Sequence, residues 1–166
     1  MAWTCRVCGE QHEEQLRDIR AGLPEAVFEL SEAERAERAE VSDDWCRFVD
    51  ENGATHFYVR GVLHLPVERS RDDFRFGVWV ELGEGDFYAL GELWDESHAT
   101  RAFFGRLANE LNLYPGTTGL PVAVQLRAEA HLPAVILLDA EHDIVASQRG
   151  GIDEDRAQQL AETVLH

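Results

Sequence analysis

Positive charge is what this sequence most lacks: 15 Lys+Arg stand against 32 Asp+Glu, a formal charge of −17. Phosphate binding rests on basic side chains that release counterions, so no nucleic acid is expected as a partner, and an anionic membrane is disfavoured for the same reason. Long apolar runs are missing too. No stretch approaches the roughly eighteen apolar residues that a spanning helix needs, and MAWTCRVCGEQHEEQLRDIR shows no basic leader ahead of an apolar core. The expectation is a cytoplasmic chain with no membrane role. Cysteine is scarce, with 3 in 166 residues, an odd number that does not build the disulfide framework of a small secreted domain. Internal repeats, Ser/Gly linkers and low-complexity blocks are absent, so 1–166 reads as a single domain.

Familiar catalytic signatures are absent as well. There is no Gly-x-Ser-x-Gly elbow, His-Glu-x-x-His helix, Walker loop or Gly-x-Gly-x-x-Gly fingerprint. Gly83 and Gly85 precede Asp86, but an aspartate at a helix N-terminus opposes phosphate, so this stretch reads as a strand-to-helix turn. Whether the protein is an enzyme stays open at this level.

What is present is a foldable chain, 45% hydrophobic. A helical turn is expected around Leu16 and Ile19, followed by a break at Gly22 and Pro24. Ser31 with Glu34 three residues on has capping-box spacing, so SEAERAERAE reads as a short solvent-facing helix. From Trp45 the period becomes that of strands: WCRFVD, a hairpin turn at Asn52-Gly53, THFYVRGVLHLPV, then FRFGVWVEL with Phe74, Phe76, Val78 and Val80 on one side and Trp79 on the other. DFYALGELWD predicts an amphipathic helix capped by Asp86, with Phe87, Leu90 and Trp94 at helical spacing. AFFGRLA, LPVAVQLRAE and PAVILLDA follow as strands. IDEDRAQQLAETVLH closes as a helix capped by Asp153, with Ile152, Leu160, Val164 and Leu165 facing the sheet. The fold class expected is α+β: an antiparallel β-sheet meander, a few flanking helices and an N-terminal Cys-x-x-Cys knuckle.

Cys5 and Cys8 enclose a two-residue spacer, Gly9 follows, and His12 lies one turn on. Such a loop supplies two thiolates to a tetrahedral zinc, and glycine after the second cysteine lets backbone N–H groups turn toward the sulfurs. The expected structural zinc set is Cys5, Cys8, His12 and Cys46, with His56 or His64 as alternatives to His12, and residues 1–30 would form the knuckle and a connecting segment packed on the sheet. A redox pair is the weaker reading, because no full strand precedes Cys5. Idle thiols beside a solvated histidine are the plain alternative.

On the long strand His56, Tyr58, Arg60 and His64 share one face and Phe57, Val59, Leu63 and Leu65 the other. The polar set is a candidate pocket lining, although a sheet with one solvated face produces the same pattern. Asn109, Glu110, His142 and Gln148 are candidates to converge on it, with loop hydrogen bonding as their simpler role.

Taken in order, CRVCGEQH, ELSEAERAERAEVSDDWC, FYVRGVLHLPV, FRFGVWVEL, NELNLYPGTTGL and EHDIVASQRGGI resemble the bacterial domain of unknown function 2199 family over nearly the whole chain. The stretch RAEAHLPAV departs from it, being less rich in proline. The resemblance implies a single-domain bacterial protein and carries no reaction, substrate or partner. From the residues, the preferred reading is a zinc-stabilised, non-catalytic module that binds a protein or small molecule through the sheet face. A hydrolase-like enzyme whose zinc keeps an open position would differ in coordination number. A metal-free acidic protein that meets a basic partner would differ in the salt sensitivity of binding.

Overall fold

The computed structural model describes residues 3–4, 11–12, 16–96, 101–127, 131–138 and 141–165, with the backbone alone at 3, 11, 12 and 165. Two short strands, β1 (Trp3–Thr4) and β2 (Gln11–His12), pair antiparallel with Trp3 opposite His12. Where a helical turn was expected the chain forms β3 (Asp18–Arg20), with α1 (Glu25–Phe28) after Pro24 and α2 (Glu32–Arg38) behind it. The capping box is present: Ser31 Oγ accepts from the Glu34 N–H while the Glu34 carboxylate accepts from the Ser31 N–H.

The strands β4 (Ala39–Val41), β5 (Trp45–Val49), β6 (Thr55–Leu65) and β7 (Phe74–Leu82) follow, and β5 turns into β6 at Gly53, whose φ of +80° suits glycine. Next come α3 (Glu84–Leu93), β8 (Ala102–Leu107), β9 (Pro121–Gln125), β10 (Ala134–Leu137), α4 (Asp143–Gly150) and α5 (Glu154–Leu165). Gly83, not Asp86, is the N-cap of α3. Asp153 accepts from the Arg156 N–H as expected of a cap, but Val164 is exposed, so it does not face the sheet. Among the described residues no helix is long and apolar enough to cross a membrane.

The architecture is not the expected antiparallel meander. Strands β6, β7, β8, β9 and β10 close into a five-stranded barrel, because β6 pairs with β7 on one side and with β10 on the other. It is mixed: β10 runs parallel to β6, and β3, outside the barrel, runs parallel to β7. Closure depends on two inward-facing glycines. A Cβ at Gly61 would sit 2.5 Å from the Val135 side chain and 3.1 Å from the Pro133 carbonyl, and one at Gly105 would strike the Glu81 carbonyl. The strands curl tightly where a side chain is missing.

Register explains the core. Val59 lies opposite Val80, Leu63 opposite Phe76, Leu65 opposite Phe74 and Phe103 opposite Val124, all buried and all on the inner face. Val27 of α1, Cys46, Phe48, Tyr58, Trp79 and Ala108 form a second, smaller cluster on the outer face of β6 and β7.

Candidate functional site

The residues singled out from sequence fall into three places. Cys5 and Cys8 lie outside the described residues, as does the His12 side chain, so the Cys-x-x-Cys knuckle is not among the features described. Cys46 is fully buried between Phe48, Tyr58 and Trp79, and that burial pushes its thiol up to about 11, against the thiolate that zinc requires. Among the described residues no group of three or more His, Cys, Asp or Glu side chains is placed to hold a metal.

The polar face of β6 is real in its alternation, but its four members have separate surroundings. Arg60 is buried; it donates to the Asp43 carbonyl at 2.8 Å and the Ala21 carbonyl at 3.0 Å, and lies 4.4 Å above the Trp79 ring. The segment around Ala21 and the β4–β5 loop thus cover it, and it braces both. Tyr58 is buried beside it, and desolvation moves its phenol upward. His56, half-buried, spans two carboxylates, Nε2 to Asp50 at 2.8 Å and Nδ1 to Glu81 at 2.7 Å. Both ring nitrogens are occupied, so neither is available to a metal. His64 sits at the far end near Arg127 and Asp73, with burial depressing its pKa.

Asn109, Glu110, His142 and Gln148 likewise do not converge on one site. Buried Asn109 accepts from the Trp79 N–H at 2.7 Å and donates to the Leu23 carbonyl at 2.8 Å. Glu110 gathers the N–H groups of Gly116 and Thr118, which holds its carboxylate below the usual range. His142 caps α4, accepting at Nδ1 from the Ile144 N–H, and is 2.8 Å from the Pro115 carbonyl through Nε2. Gln148 bonds to β10 like a short strand: Leu137 N–H to Oε1 at 2.7 Å, and Nε2 to the Val135 carbonyl at 3.0 Å.

A cleft appears where sequence reasoning did not look. Trp45 stands opposite Val59 and Arg47 opposite Phe57, so this face of β5 continues the inner face of β6 beyond the barrel. Helix α3 packs across the same end and leaves β5 partly uncovered, forming a cleft of about 640 Å³. Val59 and Leu90 are its buried lining, while Trp45, Phe87, Tyr88 and Trp94 supply aromatic walls. Trp45 meets Phe87 edge-on at 6.5 Å, and Phe87 meets Tyr88 at 5.3 Å. Trp45 and Tyr88 remain 38% and 48% exposed, large aromatic surface that core packing does not use. Arg47 reaches across with one guanidinium nitrogen on Glu40 at 2.8 Å and the other on the Tyr88 hydroxyl at 3.4 Å.

A protein-family comparison matches residues 4–152 to the family described as uncharacterised proteins conserved in bacteria, domain of unknown function 2199. The chain belongs to that family. Neither a curated protein nor a solved structure matches the chain. Within the family match lie the whole barrel and every residue lining the cleft, whereas α5 begins beyond it. Family membership therefore covers the cleft without assigning it a ligand. The signal for it in the sequence was Trp45, on the exposed side of a strand whose neighbours Cys46 and Phe48 turn into the core, with Tyr88 beside Phe87 on the following helix.

Proposed function

We propose that the protein is a non-catalytic binding module whose ligand is a small molecule held in the cleft between α3 and β5. The observation that carries this reading is the aromatic wall: exposed Trp45 and Tyr88 join Phe87 and Trp94 over the apolar lining from Val59 and Leu90. A mostly apolar concavity with a few polar groups, within the usual size range of ligand sites, is how small molecules are held. Binding is favoured over catalysis because the described lining sets no histidine, cysteine, serine or threonine beside its carboxylates Asp44, Glu92 and Asp95, and its one arginine, Arg47, is committed to Glu40 and Tyr88. A panel of small cationic, neutral and anionic aromatic and aliphatic compounds, screened by tryptophan fluorescence, tests it. At least one class should bind the wild type and lose about tenfold or more in Trp45→Ala. Binding unchanged in that variant would place the ligand elsewhere.

A structural zinc at Cys5, Cys8 and His12 is a separate proposal. Its support is their spacing and the pairing of Thr4 with Gln11, the two described residues that flank positions 5–10. Zinc per chain should fall in Cys5→Ser and Cys8→Ser. Loss of zinc in Cys46→Ser as well would restore Cys46 to the ligand set, despite the cost of ionising a buried thiol.

A further inference from the structure

We infer that the cleft selects an organic cation, specifically an alkylated ammonium group; this rests on the binding reading above. Three independent sources of negative potential meet there. Asp44, Glu92 and Asp95 line the cleft, and among the described residues none has an ion-pair partner within salt-bridge distance. The C-terminal end of α3 contributes Gly91 and Glu92 with no basic residue in its last turn, so the helix carbonyls add partial negative charge. The aromatic rings present negative faces, and one already attracts a cation: the Arg47 guanidinium lies 6.0 Å from the Trp45 ring centroid.

The cationic residue in the lining does not cancel this field. Arg47 is neutralised by Glu40, which is outside the lining, and is tied to Tyr88. Arg60 faces Asp43 and Asp44 electrostatically, yet its guanidinium is buried on the opposite face of β6 against Trp79. An anion would meet three carboxylates and a formal charge of −17.

The type of cation follows from where the charges sit. Asp44 is half-buried, and Glu92 and Asp95 are exposed, so they supply a field around the cleft more than a ring of direct ligands. A divalent metal needs several converging oxygens, and a guanidinium wants a coplanar carboxylate fork. An alkylated ammonium needs neither. Its charge is spread over methyl groups that pack on aromatic faces, and it asks for no hydrogen-bond acceptor.

The test compares choline with its uncharged isostere 3,3-dimethylbutan-1-ol on the full chain at low salt, by titration calorimetry and protein-observed NMR. Choline should bind about tenfold or more tightly than the isostere, with shifts centred on Trp45, Phe87 and Trp94. Glu92→Gln combined with Asp95→Asn should remove most of that preference by weakening choline far more than the isostere, and Trp45→Ala should weaken both. Matching urea midpoints for the variants and the wild type would confirm that the fold is intact. Equal affinity for choline and the isostere would overturn the cation inference and leave the cleft as a binding site. Failure of choline while an anion or neutral compound from the wider panel binds at Trp45 would do the same. Failure of every compound to engage Trp45 would overturn both readings.

Discussion

Asn109 shows how one buried polar side chain can tie distant segments together. Its amide satisfies the Trp79 N–H on β7, which is buried, and the partly buried Leu23 carbonyl ahead of α1. Asn109→Ala leaves both unpaired, and urea denaturation should show a loss of about 2–4 kcal/mol. His56 makes a prediction with a definite pH sign. Its pKa is raised above 6.5, by the hydrogen bond to Asp50 first and that to Glu81 second, with burial opposing. Only the imidazolium donates from both nitrogens, so the stability it adds is fully present below about pH 6.5 and is lost as pH rises through the higher folded value. Asp50 is lowered by the same pairing, so its share is present above its ordinary 3.8 and disappears as pH falls through the lower folded value. The stability difference between wild type and His56→Gln should therefore be largest between these limits and shrink toward alkaline pH. A difference that grows from about pH 6 to pH 9 would contradict the bridge. The sequence made the shared face of His56, Tyr58, Arg60 and His64 legible through period-two alternation. It did not reveal that Ala21 and the β4–β5 loop fold over Arg60, because covering segments are long-range partners.

At the scale of elements the informative place is the barrel seam. Strand β10 has only Ala134 paired with Val62 of β6, so the rest of that edge would be open. Gln148 from α4 closes it, joining the Leu137 N–H and the Val135 carbonyl, with His64 O 3.5 Å from its amide nitrogen. Gln148→Leu keeps the bulk and removes these bonds, and should cost about 2–3 kcal/mol in denaturant unfolding; a change under about 0.5 kcal/mol would show that the seam holds without it. Strands β5 to β10 could be read from the sequence because β-branched and aromatic residues run along them between turn signals. Helix α4 was missed, its short pattern obscured by Gly150 and Gly151, and so was β3, whose three residues are too few to establish a period. The parallel closure of β10 on β6 depends on Gly61 meeting Pro133 and Val135, residues far away in the chain, which no local pattern encodes. The cleft escaped for a related reason: Trp45 and Phe87 are each ordinary core candidates until β5 is seen to run past the edge of the barrel.

For the whole molecule, the charge of −17 sets both stability and selectivity. Like charges on a compact body repel, so the melting temperature should rise between about 0.05 M and 0.5 M sodium chloride as screening takes hold. A fall would mean that the exposed ion pairs, such as Arg38 with Glu34 and Arg47 with Glu40, outweigh the repulsion. All the basic residues are arginine, so a lysine placed beside the cleft would be the only lysine available for labelling. The same excess of negative charge concentrates cations around the protein, and the aromatic cleft is where that field meets apolar walls. The most direct test of the account is chemical-shift mapping of the isotope-labelled full chain titrated with the charge-diverse compound panel. Saturable shifts clustered on Trp45, Phe87, Tyr88, Leu90 and Trp94 are the expected result; shifts scattered over the surface, or clustered away from α3 and β5, would contradict it.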